Sequence, residues 1–150
     1  MEWLDQGIQN IIDLFAYPFY VVQQNFNITC PCLHYSQQAD PGCMKCLGTG
    51  HKIYIREAVG YSEDIKQAAR QSHTSEPIMS TEYYVRSEYP IVRKNILVEP
   101  DESFIVHEID HLKSADRRYV YQLCFTYSKK TDSGLFLKNF NEVLRKGADT

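Results

Sequence analysis

The sequence predicts a mainly β fold: a small antiparallel β-barrel or sandwich with an N-terminal amphipathic helix and a cysteine-rich insertion near its start. Three observations carry this. Eleven Tyr, seven Phe and one Trp in 150 residues suit pleated, half-wet surfaces. Tyr119, Tyr121, Leu123, Phe125 and Tyr127 alternate strictly with other residues, which is the period of a strand. Short β-rich runs also recur between turns along the rest of the chain, as they do in barrels and sandwiches.

In chain order, Trp3, Leu4, Ile8, Ile11, Ile12 and Phe15 fall at helical spacing with Asp5, Gln9 and Asp13 between them. They predict an amphipathic helix over 3–16, stopped by Pro18. Its apolar face suits either a core helix or an arm that docks on a partner. Residues 19–29 read as extended. Residues 30–50 hold four of the five cysteines. Lys52–Glu57 places Ile53 and Ile55 on one strand face, and Ser62–Gln71 has room for a short helix between Gly60 and Pro77. Glu82–Arg86, Ile96–Glu99, Phe104–His111 and Tyr119–Tyr127 are strand candidates. Leu135–Lys146 reads as a terminal strand or short helix before a polar tail.

At 17.5 kDa the chain is one domain, 1–150, able to bury about two-thirds of its surface. It divides into a helical arm (1–18), the cysteine element (30–50) and the barrel (51–146). Sixteen Lys and Arg against nineteen Asp and Glu give a formal charge of −3, which argues against phosphate-backbone binding by the chain as a whole. The longest apolar run, Leu14 to Val22, is nine residues broken by Pro18, short of the ~20 a membrane span needs. Glu2 and Asp5, with no basic residue beside them, do not read as a signal peptide.

Four of the five cysteines lie within seventeen residues: Cys30-Pro31-Cys32, then Cys43-Met44-Lys45-Cys46-Leu47-Gly48-Thr49-Gly50. Two close pairs of thiolates joined by a loop supply the four soft ligands of a tetrahedral zinc. Cys-x-x-Cys followed by x-Gly suits a knuckle, in which backbone N–H groups turn toward the first thiolate and glycine lets the chain fold back. Asp40-Pro41-Gly42 supplies the return turn. Zinc is preferred to two disulfides or inert thiols, because bridging Cys30 to Cys32 gives a strained ring. Lys45, His51 and Lys52 are nearby cations, His34 reads as loop surface, and Cys124 reads as a small core residue. A closed set of four thiolates with no acid–base partner makes the site structural.

His107-Glu108-Ile109-Asp110-His111 fits the metallopeptidase pattern, where two histidines one helical turn apart bind zinc and the Glu activates water. That chemistry needs a helix. On a strand paired with 119–127, His107 and His111 stand about 13 Å apart, too far to share a metal. The segment is therefore read as a strand, and the chain as no enzyme. Arg117-Arg118 and Lys129-Lys130 read as solvated hairpin ends.

The run Cys46-Leu47-Gly48-Thr49-Gly50 with its preceding Cys43 is similar to one repeat of the cysteine-rich region of DnaJ-type chaperones. The whole cysteine element resembles that of small virion proteins of the tailed-bacteriophage neck, of the head-completion (stopper) or adaptor type. In those proteins a short β-barrel carries a zinc-ribbon-like element near its start. Residues 95–106 and 119–122 look like their barrel strands, and Leu47 departs from the small residue or glycine expected before Gly48. The resemblance implies a structural subunit of the head–tail connector: a homo-oligomeric ring between portal and tail, contacting portal, adaptor or tail proteins through helix 3–16 and exposed loops. It implies a virion location after assembly in the host cytoplasm, and structural Zn²⁺ on Cys30, Cys32, Cys43 and Cys46. The alternatives are a zinc-ribbon protein that binds nucleic acid or a regulatory partner, and, less favoured, a zinc hydrolase using His107 and His111.

Overall fold

A computed structural model describes residues 6–34, 38–65, 80–113, 119–128 and 135–148. Helix α1 (Gln6–Phe15) leads into β1 (Tyr17–Thr29), and a 3-10 turn (Pro31–His34) opens the cysteine segment. Then follow β2 (His51–Ile65), β3 (Ser80–Arg86), β4 (Ile96–Val98), β5 (Ser103–Lys113), β6 (Tyr119–Ser128) and helix α2 (Leu135–Ala148). The six strands close into an antiparallel barrel in the order β1-β2-β3-β6-β5-β4. The barrel thus begins before residue 51, because β1 supplies one of its staves. No helix among the described residues is long and apolar enough to cross a membrane.

Three layers of side chains follow from the pleat. Inside, Phe19 packs on Tyr83 (ring centroids 5.5 Å apart) and Tyr83 on Phe104 (5.6 Å), with Val21, Ala58 and Cys124 around them. On β6 the inward residues are Gln122, Cys124 and Thr126, all buried. The aromatic face of that strand consequently lies outside the barrel. Its Tyr121 and Leu123 form a second layer with Ile12 of α1 and Leu112 of β5. A third layer, on the far side, packs Phe136 and Phe140 of α2 on Val22, Ile96, Val98 and Leu47. The two helices therefore cover different parts of the outer surface, α1 beside Tyr61, Tyr84 and Tyr121 and α2 beside Val22, Ile55 and Ile96.

Several boundaries differ from the sequence reading, each for a local reason. α1 ends at Phe15, ahead of Pro18 as expected, but Pro18 itself lies within β1, opposite Val59 of β2 and below the three residues that pair with β4. A proline is tolerated where one side of the strand has no ladder to donate to. Ser62–Ile65 is the end of β2, not the start of a helix, while 66–71 lie outside the described residues. Gly60 does not interrupt β2 either. A Cβ there would stand 2.6 Å from the Tyr84 carbonyl oxygen and 3.2 Å from Phe19, so glycine admits the close approach of β3. Leu135–Ala148 is helical, its Phe136 and Phe140 one turn apart on the buried face. Trp3, Leu4, Arg117-Arg118 and Lys129-Lys130 lie outside the described residues.

Two buried polar side chains of β6, Gln122 and Thr126, are tied to backbone. The Gln122 amide accepts from the Ile91 N–H (2.8 Å) and donates to the Arg86 and Tyr89 carbonyls, which anchors the loop between β3 and β4 to the barrel wall. Across β2 and β3, Glu63 faces Glu82 directly. Burial first, and then the Glu63 charge, holds the Glu82 carboxyl above its usual range. An acid whose pKa rises on folding stabilises the fold while protonated, and that contribution is lost as pH climbs from the ordinary carboxylate range through the folded value. Glu82→Gln is expected to raise Tm at pH 7, with a smaller gain at pH 4. Equal gains at both pH values in thermal melts would assign the effect to packing instead.

Candidate metal centre

The cysteine segment joins β1 to β2, so it forms the tip of a long hairpin. Its base is closed by the Cys30 N–H donating to the Gly50 carbonyl (2.9 Å). Asp40 makes the predicted turn: its Oδ1 accepts from the Gly42 N–H (2.9 Å), and its carbonyl accepts from the Cys43 N–H (3.0 Å). The chain then winds so that the Leu47 N–H reaches the Cys43 carbonyl and the Thr49 N–H reaches the Cys46 carbonyl.

This winding brings Cys30, Cys32, Cys43 and Cys46 together, with all four sulfurs within 4.8 Å of one another. Cys30 Sγ and Cys43 Sγ are 3.7 Å apart, as are Cys32 Sγ and Cys46 Sγ. Four thiolates about 2.3 Å from a central ion have sulfurs about 3.8 Å apart, whereas a disulfide needs about 2.05 Å. The spacing fits a tetrahedral ion and not a bridge. Among the described residues this is the one group of three or more His, Cys, Asp or Glu ligands close enough to hold a metal.

The thiols of the cluster are shifted in opposite directions. Burial pushes the Cys46 thiol up to about 12 even though the Gly50 and Gly48 N–H groups donate to it. At Cys43 burial also raises the value, but the Cys46 and Lys45 N–H donors outweigh it and bring the thiol down to about 7. Burial raises Cys30 as well, against the Cys32 N–H. A buried thiol group with inward N–H donors is suited to a metal, which deprotonates its sulfur ligands outright. Lys52 and His51 engage rings: Lys52 Nζ lies 5.4 Å above Tyr54, and the His51 ring meets Phe26 at 4.9 Å.

Leu47 and Gly48 both adopt positive φ (53° and 84°). The left-handed region is uncommon for leucine, yet here it turns the side chain into the layer beneath α2, beside Phe136 and Phe140. The departure at Leu47 thus ties the cysteine element to the barrel. Leu47→Ala is expected to lower stability by about 2–3 kcal/mol while leaving metal content unchanged. Calorimetry together with metal analysis checks this, and simultaneous loss of metal would contradict it. Thr49 was not singled out from the sequence. Its Oγ1 donates to the Cys46 carbonyl (2.7 Å) and accepts from the His51 N–H (3.3 Å), and its place between two glycines was the available signal.

The other sequence candidates lie elsewhere. His107 and His111 are on strand β5, without the helix the metallopeptidase pattern requires. β5 slips register between Val106 and Glu108, leaving His107 as an extra residue, and its ring stacks on Tyr127 (4.1 Å, 12°). Cys124 is fully buried inside the barrel, where burial raises its thiol to about 12. The His34 side chain lies outside the described residues. Fold and site together define a small closed antiparallel barrel carrying a four-cysteine cluster on a hairpin tip. The chain matches no protein-family model and no curated protein.

Proposed function

We propose that the protein is a non-enzymatic structural subunit of the tailed-bacteriophage neck. It forms a ring between portal and tail in the virion, and its four cysteines hold structural zinc. The observation that carries the reading is the conjunction of the Cys30-Pro31-Cys32…Cys43-x-x-Cys46-x-Gly48-Thr49-Gly50 element with a closed barrel whose N-terminal helix turns apolar residues outward. Four thiolates leave no open position on a tetrahedral ion, so the metal's role is to fix the chain rather than to activate water. Zinc on four thiolates adds about −2 to a chain already at −3, which further disfavours non-specific nucleic-acid binding.

The test is the particle itself. Virions of the phage that encodes this chain are expected to carry it at the neck in several copies, and its genes are expected to adjoin those for portal and tail. Purified particles lacking the chain overturn the reading. A second reading, a zinc-ribbon protein binding nucleic acid, draws on Lys94 lying 5.3 Å above the exposed Phe26 ring beside the cysteine element. It requires oligonucleotide affinity that falls steeply with salt.

A further inference from the structure

Helix α2 does not seal the barrel face beneath it. Between its second half and strands β1 and β4 lies a cavity of about 290 Å³, walled by Tyr20, Val98, Phe140 and Leu144. Its place follows from register. Tyr20 pairs with Glu57 of β2 on one side and with Val98 of β4 on the other, so the three residues stand abreast on the outer face. Phe140 meets the Tyr20 ring edge-on, centroids 5.6 Å apart.

The charged groups of the cavity are two carboxylates, Glu57 and Glu99; no lysine, arginine or histidine lines it among the described residues. Glu57 follows Ile53 and Ile55 at alternate positions of β2, and both of those pack in the layer beneath α2. An acid therefore stands where the face is otherwise apolar. Among the described residues Glu57 forms no ion pair. Glu99 is held in place: its carboxylate accepts from the Tyr17 hydroxyl, which also contacts Ser62 Oγ at 2.6 Å, and its N–H donates to the Glu102 carbonyl (2.9 Å). Arg145, next to Leu144 in the chain, turns instead to Glu142 (3.9 Å).

Apolar walls with positioned carboxylates and no positive charge of their own complement a cation that carries an apolar stem. Arginine meets each requirement. Its methylene stem suits the walls, and its weakly hydrated guanidinium donates to more than one carboxylate while lying favourably against aromatic rings. We propose that this cavity receives an arginine side chain of a partner protein, its stem against Tyr20, Val98 and Leu144 and its guanidinium on the Glu57 and Glu99 carboxylates. The site uses no part of the cysteine element, so it stands apart from the neck reading.

Amide NMR titration of the full chain with N-acetyl-arginine-N-methylamide tests this. Shifts are expected at residues 19–20, 57, 98–99 and 140–144, saturating with a Kd on the order of 1 mM, as suits a single side chain. The citrulline analogue, close in shape and neutral, is expected to bind about tenfold more weakly, and Glu57→Gln to lose about tenfold in affinity for the arginine probe. The citrulline comparison needs no variant, so it holds even where a variant fails to fold. Asp101→Asn removes an exposed acid of the neighbouring turn that does not line the cavity, and it is expected to change the affinity by less than about twofold. Absence of shifts at the cavity, equal binding of the citrulline analogue, or an unchanged affinity in Glu57→Gln overturns the proposal. So does free L-arginine binding about tenfold tighter than the blocked form, which gives the cavity to an amino acid. A self-associating chain that the probe dissociates gives it to a second copy and overturns the proposal as well.

Discussion

Replacing Cys46 with serine is expected to remove close to one zinc ion per chain and to lower Tm by roughly 10 °C. Cys46 is fully buried, and its sulfur closes the four-thiol cluster against Cys32. A hydroxyl is a poor ligand for a thiolate-type site, and its substitution leaves three sulfurs with no ion to share. Structural zinc contributes folding free energy directly. A loss of about 4 kcal/mol corresponds to roughly 8–16 °C for a domain of this size. The wild-type chain treated with a strong chelator is expected to melt with the variant. Metal analysis and melting curves check both points. A wild-type preparation that contains no zinc, or that melts unchanged after chelation, would refute the zinc assignment.

Gly60→Ala is expected to cost about 3 kcal/mol or more, an effect at the large end for one added methyl group. The new Cβ meets backbone, the Tyr84 carbonyl oxygen at 2.6 Å, and no side-chain rotation relieves that contact. Gly60 pairs with both Tyr17 of β1 and Val85 of β3, so a shift there disturbs two seams of the barrel together. Gly42→Ala provides the control. Its Cβ would meet only Asp40 Oδ1, at an ordinary 3.5 Å, and its stability is expected to stay within about 0.5 kcal/mol of wild type. Chemical denaturation of the two variants measures the contrast, and equal stabilities would contradict the steric account.

The barrel and the cysteine site were readable in the residues to different depths. The four cysteines were fully legible, because ligand type and spacing are local properties of the chain. The strand period of 119–127 was legible too, but not which face was inside. That depends on α1 covering Tyr121 and Leu123 while small or polar Gln122, Cys124 and Thr126 fill the interior. The length of β2 was hidden by Gly60, which reads as punctuation in a sequence and acts as clearance for β3 in space. The register slip at His107 was equally invisible. It moves the core-facing positions of β5 from Phe104 and Val106 to the partly buried Ile109, and only the partner strand reveals it. α2 was readable in retrospect from Phe136, Phe140, Val143 and Leu144, which recur at helical intervals.

The place of the cysteine element on the tip of the β1–β2 hairpin also bears on the order in which the molecule assembles. Bringing β1 to β2 requires closing residues 30–50 into a loop, and loop closure slows non-local pairing. A metal gathered early by the two cysteine pairs would shorten that loop in effect, so that the β1–β2 pair would form as a nearly local event. The seam between β1 and the three-residue β4, far apart in the chain, is then left as the late step that shuts the cylinder. An ion held by the four cysteines would act as a clasp during folding as well as a brace afterward. Refolding in its presence is expected to be faster than refolding without it.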